Sequence, residues 1–144
     1  MNNHFNIAIS YSRDSENYVK QLVEILSNKY SVFFDIQQYK MLVCKFLHEV
    51  LYDVFYNQSD FAVLIITHEY LKRMHPMWEA KTVIAKSVSS PGRYFIVLAD
   101  DLDATIIKQK LCINDNYKFC RMAEVADNPK YLCEIIEERI KEFL

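Results

Sequence analysis

Between Phe61 and Ile66 the chain reads FAVLII, six consecutive apolar residues with no polar alternation. Successive side chains of a strand point to opposite faces, so an uninterrupted apolar strand needs cover on both. In a chain of 144 residues that means a central parallel strand between layers of helix. Two further apolar runs fit beside it, Phe5 to Ser10 (FNIAIS) and Tyr94 to Leu98 (YFIVL). Ser31 to Phe34 (SVFF) reads as a strand ending at Asp35, and Tyr117 to Met122 as a weaker fifth strand at an edge.

Helical periodicity fills the intervals. After YSRDSEN, Tyr18, Val19, Leu22, Val23, Ile25 and Leu26 make one apolar face. After a loop from Ile36 to Val43, Phe46, Leu47, Val50, Leu51 and Val54 make a second. A third helical stretch is expected to break near Pro76 and run from Met77 to about Ser89, where SSPGR turns the chain. Ile106 to Ile113 fits no single period, and Tyr131 to Leu144 closes the chain as an amphipathic helix. Strand–helix alternation repeated five times implies an α/β domain over residues 1–144, a five-stranded, mainly parallel sheet with helices on both faces. Ligands of such sheets bind beyond the carboxyl ends of the strands. Here those ends are Ser10 to Asp14, Asp35 and its loop, Thr67 to Glu69, and Asp100 to Asp103.

Composition excludes several classes. Gly92 is the only glycine, which rules out a glycine-rich phosphate loop and leaves side chains and helix termini to hold any phosphate. Cys44, Cys112, Cys120 and Cys133 have neither metal-ligand nor redox-motif spacing and read as reduced, mostly buried thiols, so no metal is expected. A net charge of −2 without a long basic run argues against nucleic acid. No run approaches the roughly 20 apolar residues that cross a membrane, and MNNHFNIAIS is no leader, so a cytoplasmic protein is expected.

A phosphoacceptor receiver domain shares this alternation, but it needs clustered acids after strand one and an aspartate ending strand three. This chain has SYSRD and THE there. Another pattern fits in order along nearly the full length. IAISYSRD resembles the first box of TIR (Toll/interleukin-1 receptor) domains, and YSVFFD their second strand, which opens the BB loop. DFAVLIITHEYLKR followed by HPMWEAKTVIAK resembles the third strand and the glutamate-bearing helix, and RYFIVLADDLDATII the fourth strand with its acidic loop in bacterial members.

The resemblance implies a flavodoxin-like fold and, as in stand-alone bacterial members of the Thoeris type, cleavage of NAD⁺ in antiviral defence. NAD⁺ is then the substrate, and no cofactor is expected. Enzymatic members carry a Trp followed four residues later by the catalytic Glu. Counting from Tyr70 places that glutamate at Glu79 and the aromatic position at His75, on one helix face. Trp78 is one position off and reads as a core or interface aromatic rather than as that site residue.

Ser10, Tyr11, Ser12 and Arg13 would either hold the pyrophosphate or form an ordinary capping loop. Asp35 would bond a ribose hydroxyl or shape its turn, while Tyr11 and Phe34 offer stacking surfaces. Self-association through TIR–TIR contacts and a separate effector reached by a small-molecule signal are the expected partners. His75 in place of Trp, and Val43-Cys44 where many bacterial members have Trp-Gly, are departures that fit the alternative, a non-catalytic adaptor.

Overall fold

The computed structural model describes residues 4–34 and 47–142. Asp35, the loop Ile36 to Val43, Cys44, Phe46 and Phe143 therefore lie outside the described residues.

Five strands, β1 (Phe5–Ser10), β2 (Val32–Phe33), β3 (Ser59–Ile66), β4 (Tyr94–Leu98) and β5 (Cys120–Arg121), form one sheet in the order β2-β1-β3-β4-β5. Every pairing is parallel, with Ser10 opposite Leu64 and Ile66 opposite Leu98. The α-helices among the described residues are α1 (Glu16–Leu26), α2 (Leu47–Asp53), α3 (His68–Lys72), α4 (Met74–Ser89), α5 (Ala104–Leu111) and α6 (Pro129–Lys141), with short helical segments at Arg13–Ser15, Val54–Gln58 and Met122–Glu124.

The pleat divides the apolar strands between two cores. Ala8, Leu64, Ile66, Ile96 and Leu98 pack with α2, α4 and α5. Ile7, Ile9, Val63, Ile65 and Val97 pack with α1 and α6. Each fully buried aliphatic side chain contributes about 1.5–3 kcal/mol, so the two-sided strand β3 anchors the fold. The same alternation puts Ser10, two residues after Ala8, on the α4 side of the sheet.

Several local expectations are revised. The third helical stretch breaks at Arg73, which is extended (φ −101°, ψ 133°), and Pro76 lies in the first turn of α4. Proline is tolerated there because the N–H it lacks has no partner within a helix's first turn. Of residues 106–113, ambiguous by periodicity, 106–111 belong to α5, whose start is set by Asp103 accepting from the Thr105 N–H and which is ended by Cys112 at φ 57°. The same Cys112 is exposed, contrary to the expectation of mostly buried thiols, because it follows the last helical turn; Cys133 is buried. The predicted fifth strand shrinks to Cys120–Arg121. The last helix starts earlier than Tyr131, at Pro129, behind the Asn128 cap.

Candidate functional site

The chain runs from β1 out to β2 and back across β1 to β3, so the order of connections reverses between β1 and β3. The elements that follow β1 and β3 pack on opposite faces of the sheet, and in sheets of this kind the crevice at such a reversal is lined by the neighbouring helices. From β1 comes Ser10, wholly buried. Thr67 follows β3 and opens α3 as its cap, accepting from the Tyr70 N–H at 3.2 Å. That cap sets Tyr70 over the end of β1, and the extended Arg73 redirects the chain so that α4 brings Glu79 to the same point.

The three side chains form one buried line. Ser10 Oγ donates to Glu79 Oε1 at 2.6 Å and lies 2.7 Å from Tyr70 Oη. With its single proton committed to Glu79, Ser10 accepts from Tyr70. Glu79 is 7% exposed and Tyr70 has no exposed surface. Burial pushes the Glu79 carboxyl up to about 8, opposed by the hydrogen bond from Ser10. The Tyr70 phenol is raised well above its ordinary range, first by burial and then by the Glu79 charge. Burial together with a raised pKa marks Glu79 as the candidate acid of this site.

A second polar cluster stands beside the first. Thr67 Oγ1 donates to Asp14 Oδ1 at 3.1 Å, Ser12 also donates to Asp14, and Ser12 lies 3.1 Å from Thr67. Arg13 and Asp14 project from the short helical turn Arg13–Ser15 as exposed residues. His75 is half-buried one turn before Glu79 on α4, as its spacing requires. Tyr11 and Phe34 pack instead against the core shared with α1 and α6, across the sheet from Glu79. The structure thus joins Ser10 to Glu79, sets Ser12 in the adjoining cluster, and places Tyr11 and Phe34 on the other face; Asp35 lies outside the described residues.

The sequence marks Thr67 only as part of a strand end and Tyr70 only as the point from which Glu79 is counted, and it names neither as a member of the site. One signal was there to find: a tyrosine in a wholly apolar environment must find a partner for its hydroxyl, and the nearest strand end supplied a serine.

The acidic loop after β4 is differently committed. Asp100 accepts from the Ala123 N–H, Asp101 pairs with His68 Nε2 at 2.8 Å, and Asp103 caps α5. Arg121 Nη1 donates to the carbonyls of Ala99 and Leu102. A groove of about 340 Å³ lies between α3 and α5, with Leu71, Leu102 and Ile107 among its walls and Lys72 and Lys110 at its rim. Glu79 does not line it. Among the described residues no cluster of His, Cys, Asp and Glu could hold a metal ion, and no helix is long and apolar enough to cross a membrane.

Residues 7–124 match the family model described as TIR domain. Among solved structures, a metazoan TIR-STING receptor from C. gigas is similar, with a TM-score of 0.59 and 15% identity. The match covers 94% of this chain and 41% of that one, so the chain spans less than half of the neighbour's length. At this identity the likeness concerns the fold. No curated protein matches the sequence.

Proposed function

The chain belongs to the TIR family, and from that premise we propose that it cleaves NAD⁺ between nicotinamide and ribose, with Glu79 as the catalytic carboxylate. The observation that carries the reading is Glu79 itself, buried at the crevice between β1 and β3 and held by Ser10. An ordinary helix glutamate would be solvated; burying a carboxylate costs stability and calls for a functional reason.

The chemistry suits a lone acid. The bond from ribose C1′ to the nicotinamide nitrogen breaks with both electrons going to that nitrogen, which loses its positive charge and needs no proton to leave. The ribosyl centre becomes oxocarbenium-like, and an ionised Glu79 stabilises it electrostatically, as carboxylates do in glycoside hydrolysis. Water then adds at C1′ and releases a proton, giving ADP-ribose; an internal or external nucleophile in place of water gives a cyclic or conjugated product. The cationic ribosyl nicotinamide favours the ionised carboxylate when it binds. Around this centre Ser12 and Arg13 at the end of β1 are suited to the pyrophosphate, and His75 to contact with the nicotinamide ribose.

The biological setting that fits is signalling in antiviral defence of the Thoeris type, by a cytoplasmic protein whose product reaches a separate effector and whose site is completed by self-association. The adaptor reading draws on the exposed pair Met74 and Trp78, four residues apart on α4 and 64% and 43% exposed, a surface fit for protein contact. Incubation with NAD⁺, following nicotinamide release by chromatography, tests the choice. Release by the natural chain, lost in Glu79→Gln, supports the enzyme; a chain that self-associates without releasing nicotinamide supports the adaptor.

A further inference from the structure

We propose that Ser10 and Tyr70 form a buried hydroxyl chain that clamps one oxygen of the Glu79 carboxylate, and that both are positioning residues for the reaction. The proposal rests on Glu79 being the catalytic carboxylate, and assigns to Ser10 a role other than gripping the pyrophosphate.

The geometry supports a clamp on three counts. Both contacts are short, 2.7 Å from Tyr70 Oη to Ser10 Oγ and 2.6 Å from Ser10 Oγ to Glu79 Oε1, within the range of strong hydroxyl hydrogen bonds. Proton counting allows one ordering with an ionised Glu79: Tyr70 donates to Ser10, and Ser10 donates to the carboxylate. Donors aligned in series polarise one another, so the Tyr70 hydroxyl strengthens the bond that Ser10 makes. Finally, the three groups come from β1, α3 and α4, and each is fixed by its own element: Ser10 by the sheet register, Tyr70 by the Thr67 cap, Glu79 by the α4 turn that follows Arg73.

A glutamate side chain has three rotatable bonds, and an unheld carboxylate would sample several orientations. With Oε1 tied to Ser10, the plane of the carboxylate is set and Oε2 is left for the ribosyl centre. This is the supporting contact that keeps a catalytic group within the small displacement that electrostatic stabilisation tolerates. The clamp also favours ionisation. Burial raises the Glu79 pKa, and the Ser10 bond is the influence that lowers it. Tyr70 from α3 is the titratable group coupled to the Glu79 charge. Glu49 and Asp53 on α2, Tyr56 in the helical segment Val54–Gln58, His68, Glu69 and Lys72 on α3, and Lys108 and Lys110 on α5, all on elements packed against α4, are not among the influences on Glu79.

The experiment compares the natural chain with Glu79→Gln, Ser10→Ala, Tyr70→Phe and the Ser10→Ala/Tyr70→Phe double variant. Nicotinamide release is followed from pH 6 to 10, and the Glu79 carboxyl is titrated by ¹³C NMR, its resonance identified by its loss in Glu79→Gln. Melting temperature certifies that each variant folds, and Tyr70→Phe removes a single oxygen, so it keeps the test alive where Ser10→Ala does not fold. The clamp requires that the Glu79 midpoint and the acid limb of the kcat profile move together to higher pH, further in Ser10→Ala than in Tyr70→Phe. On the alkaline plateau, where Glu79 is ionised in every variant, kcat should still be about 10–100-fold lower in Ser10→Ala, with KM changed less than about threefold. The double variant should match Ser10→Ala, because Tyr70 acts through Ser10. A natural chain that releases no nicotinamide overturns the enzymatic reading and the clamp's role with it. A natural chain that is active, beside folded variants whose Glu79 midpoint and plateau kcat are unchanged, overturns the clamp alone.

Discussion

Two regions at the carboxyl end of the sheet carry carboxylates, and they are built on opposite principles. In the loop after β4, Asp100, Asp101 and Asp103 are exposed and each has a structural partner: a backbone N–H, a histidine, or the start of α5. In the crevice between β1 and β3, Glu79 is buried and bonded through a serine and a tyrosine. In the sequence the loop stands out as a cluster of acids at a strand end, while Glu79 is a single glutamate in a helical stretch. In the structure Asp100 and Asp103 complete hydrogen bonds that the backbone would otherwise leave to water and Asp101 pairs with a histidine, while the isolated glutamate is the one held in a costly environment. Clustering of acids in the sequence therefore reports capping and turn chemistry here, and burial singles out the acid to which the proposed function assigns the reaction.

The sharpest way to break this contrast is to neutralise one acid from each region. Glu79→Gln should reduce nicotinamide release by at least about 100-fold, the scale of losing one transition-state electrostatic contact. Asp103→Asn, which keeps an oxygen to cap α5, should leave turnover within about twofold. Equal losses in the two variants, measured at saturating NAD⁺, would put the reactive carboxylate outside the crevice.

The next effect concerns stability against pH. The Glu79 pKa is raised by burial from 4.5 to about 8, so between those values the folded chain holds a proton that the unfolded chain releases. Stability from this group is therefore full below about pH 4.5, falls as pH rises through that window, and is level above about 8. Relative to the natural chain, Glu79→Gln should gain little at pH 4.5 and roughly 10–20 °C in Tm by pH 8.5. Calorimetry of both proteins across that range tests it, and a constant difference would mean that the carboxyl is not held in its neutral form by burial. With the first prediction this sets a trade: the substitution that abolishes turnover makes the fold more stable.

How much of this was legible before the structure follows from the range of each interaction. The apolar run of β3 announced a strand covered on both faces, and order along the chain pointed to the family and its glutamate, because both signals are local or sequential. The break of the third helical stretch was legible in kind and misplaced by three residues, from Pro76 to Arg73, since proline is as compatible with a first helical turn as with a break. Residues 106–113 could not be read by period, because Asp103 at the start and Cys112 in a left-handed conformation at the end define α5 more than its apolar pattern does. The bonds that matter most span 60 and 69 residues, Ser10 to Tyr70 and Ser10 to Glu79. Nothing in a serine ending a strand reveals which helix will cross above it.

Within the loop itself the three acids should rank by what each one satisfies. Asp103→Ala removes the acceptor for the Thr105 N–H, 2.8 Å away, and leaves the first turn of α5 to water. The cost should be about 1 kcal/mol, typical of a lost helix cap, with an m-value in urea unchanged from the natural chain. A loss near zero would show that solvent caps α5 as well as the aspartate does.

Asp101 should matter least, although its contact with His68 Nε2, at 2.8 Å, is as short as that cap. Both side chains are mostly exposed, 57% for His68 and 69% for Asp101, so water competes for each and salt screens the charge of the carboxylate. Each side chain must also give up rotamer freedom to keep the other, which offsets most of the attraction. The contact joins α3 to the loop after β4, and the same loop is already tied down by Arg121 to the Ala99 and Leu102 carbonyls and by Asp100 to the Ala123 N–H. Removing one exposed tether from a loop that keeps its buried-side ones should change little. Asp101→Asn is therefore expected to shift Tm by less than about 2 °C and leave nicotinamide release unchanged, at low and at high salt. A fall in turnover with Tm preserved would move the boundary between the two regions, since it would mean that the His68–Asp101 pair reaches the chemistry that this comparison assigns to Glu79 alone.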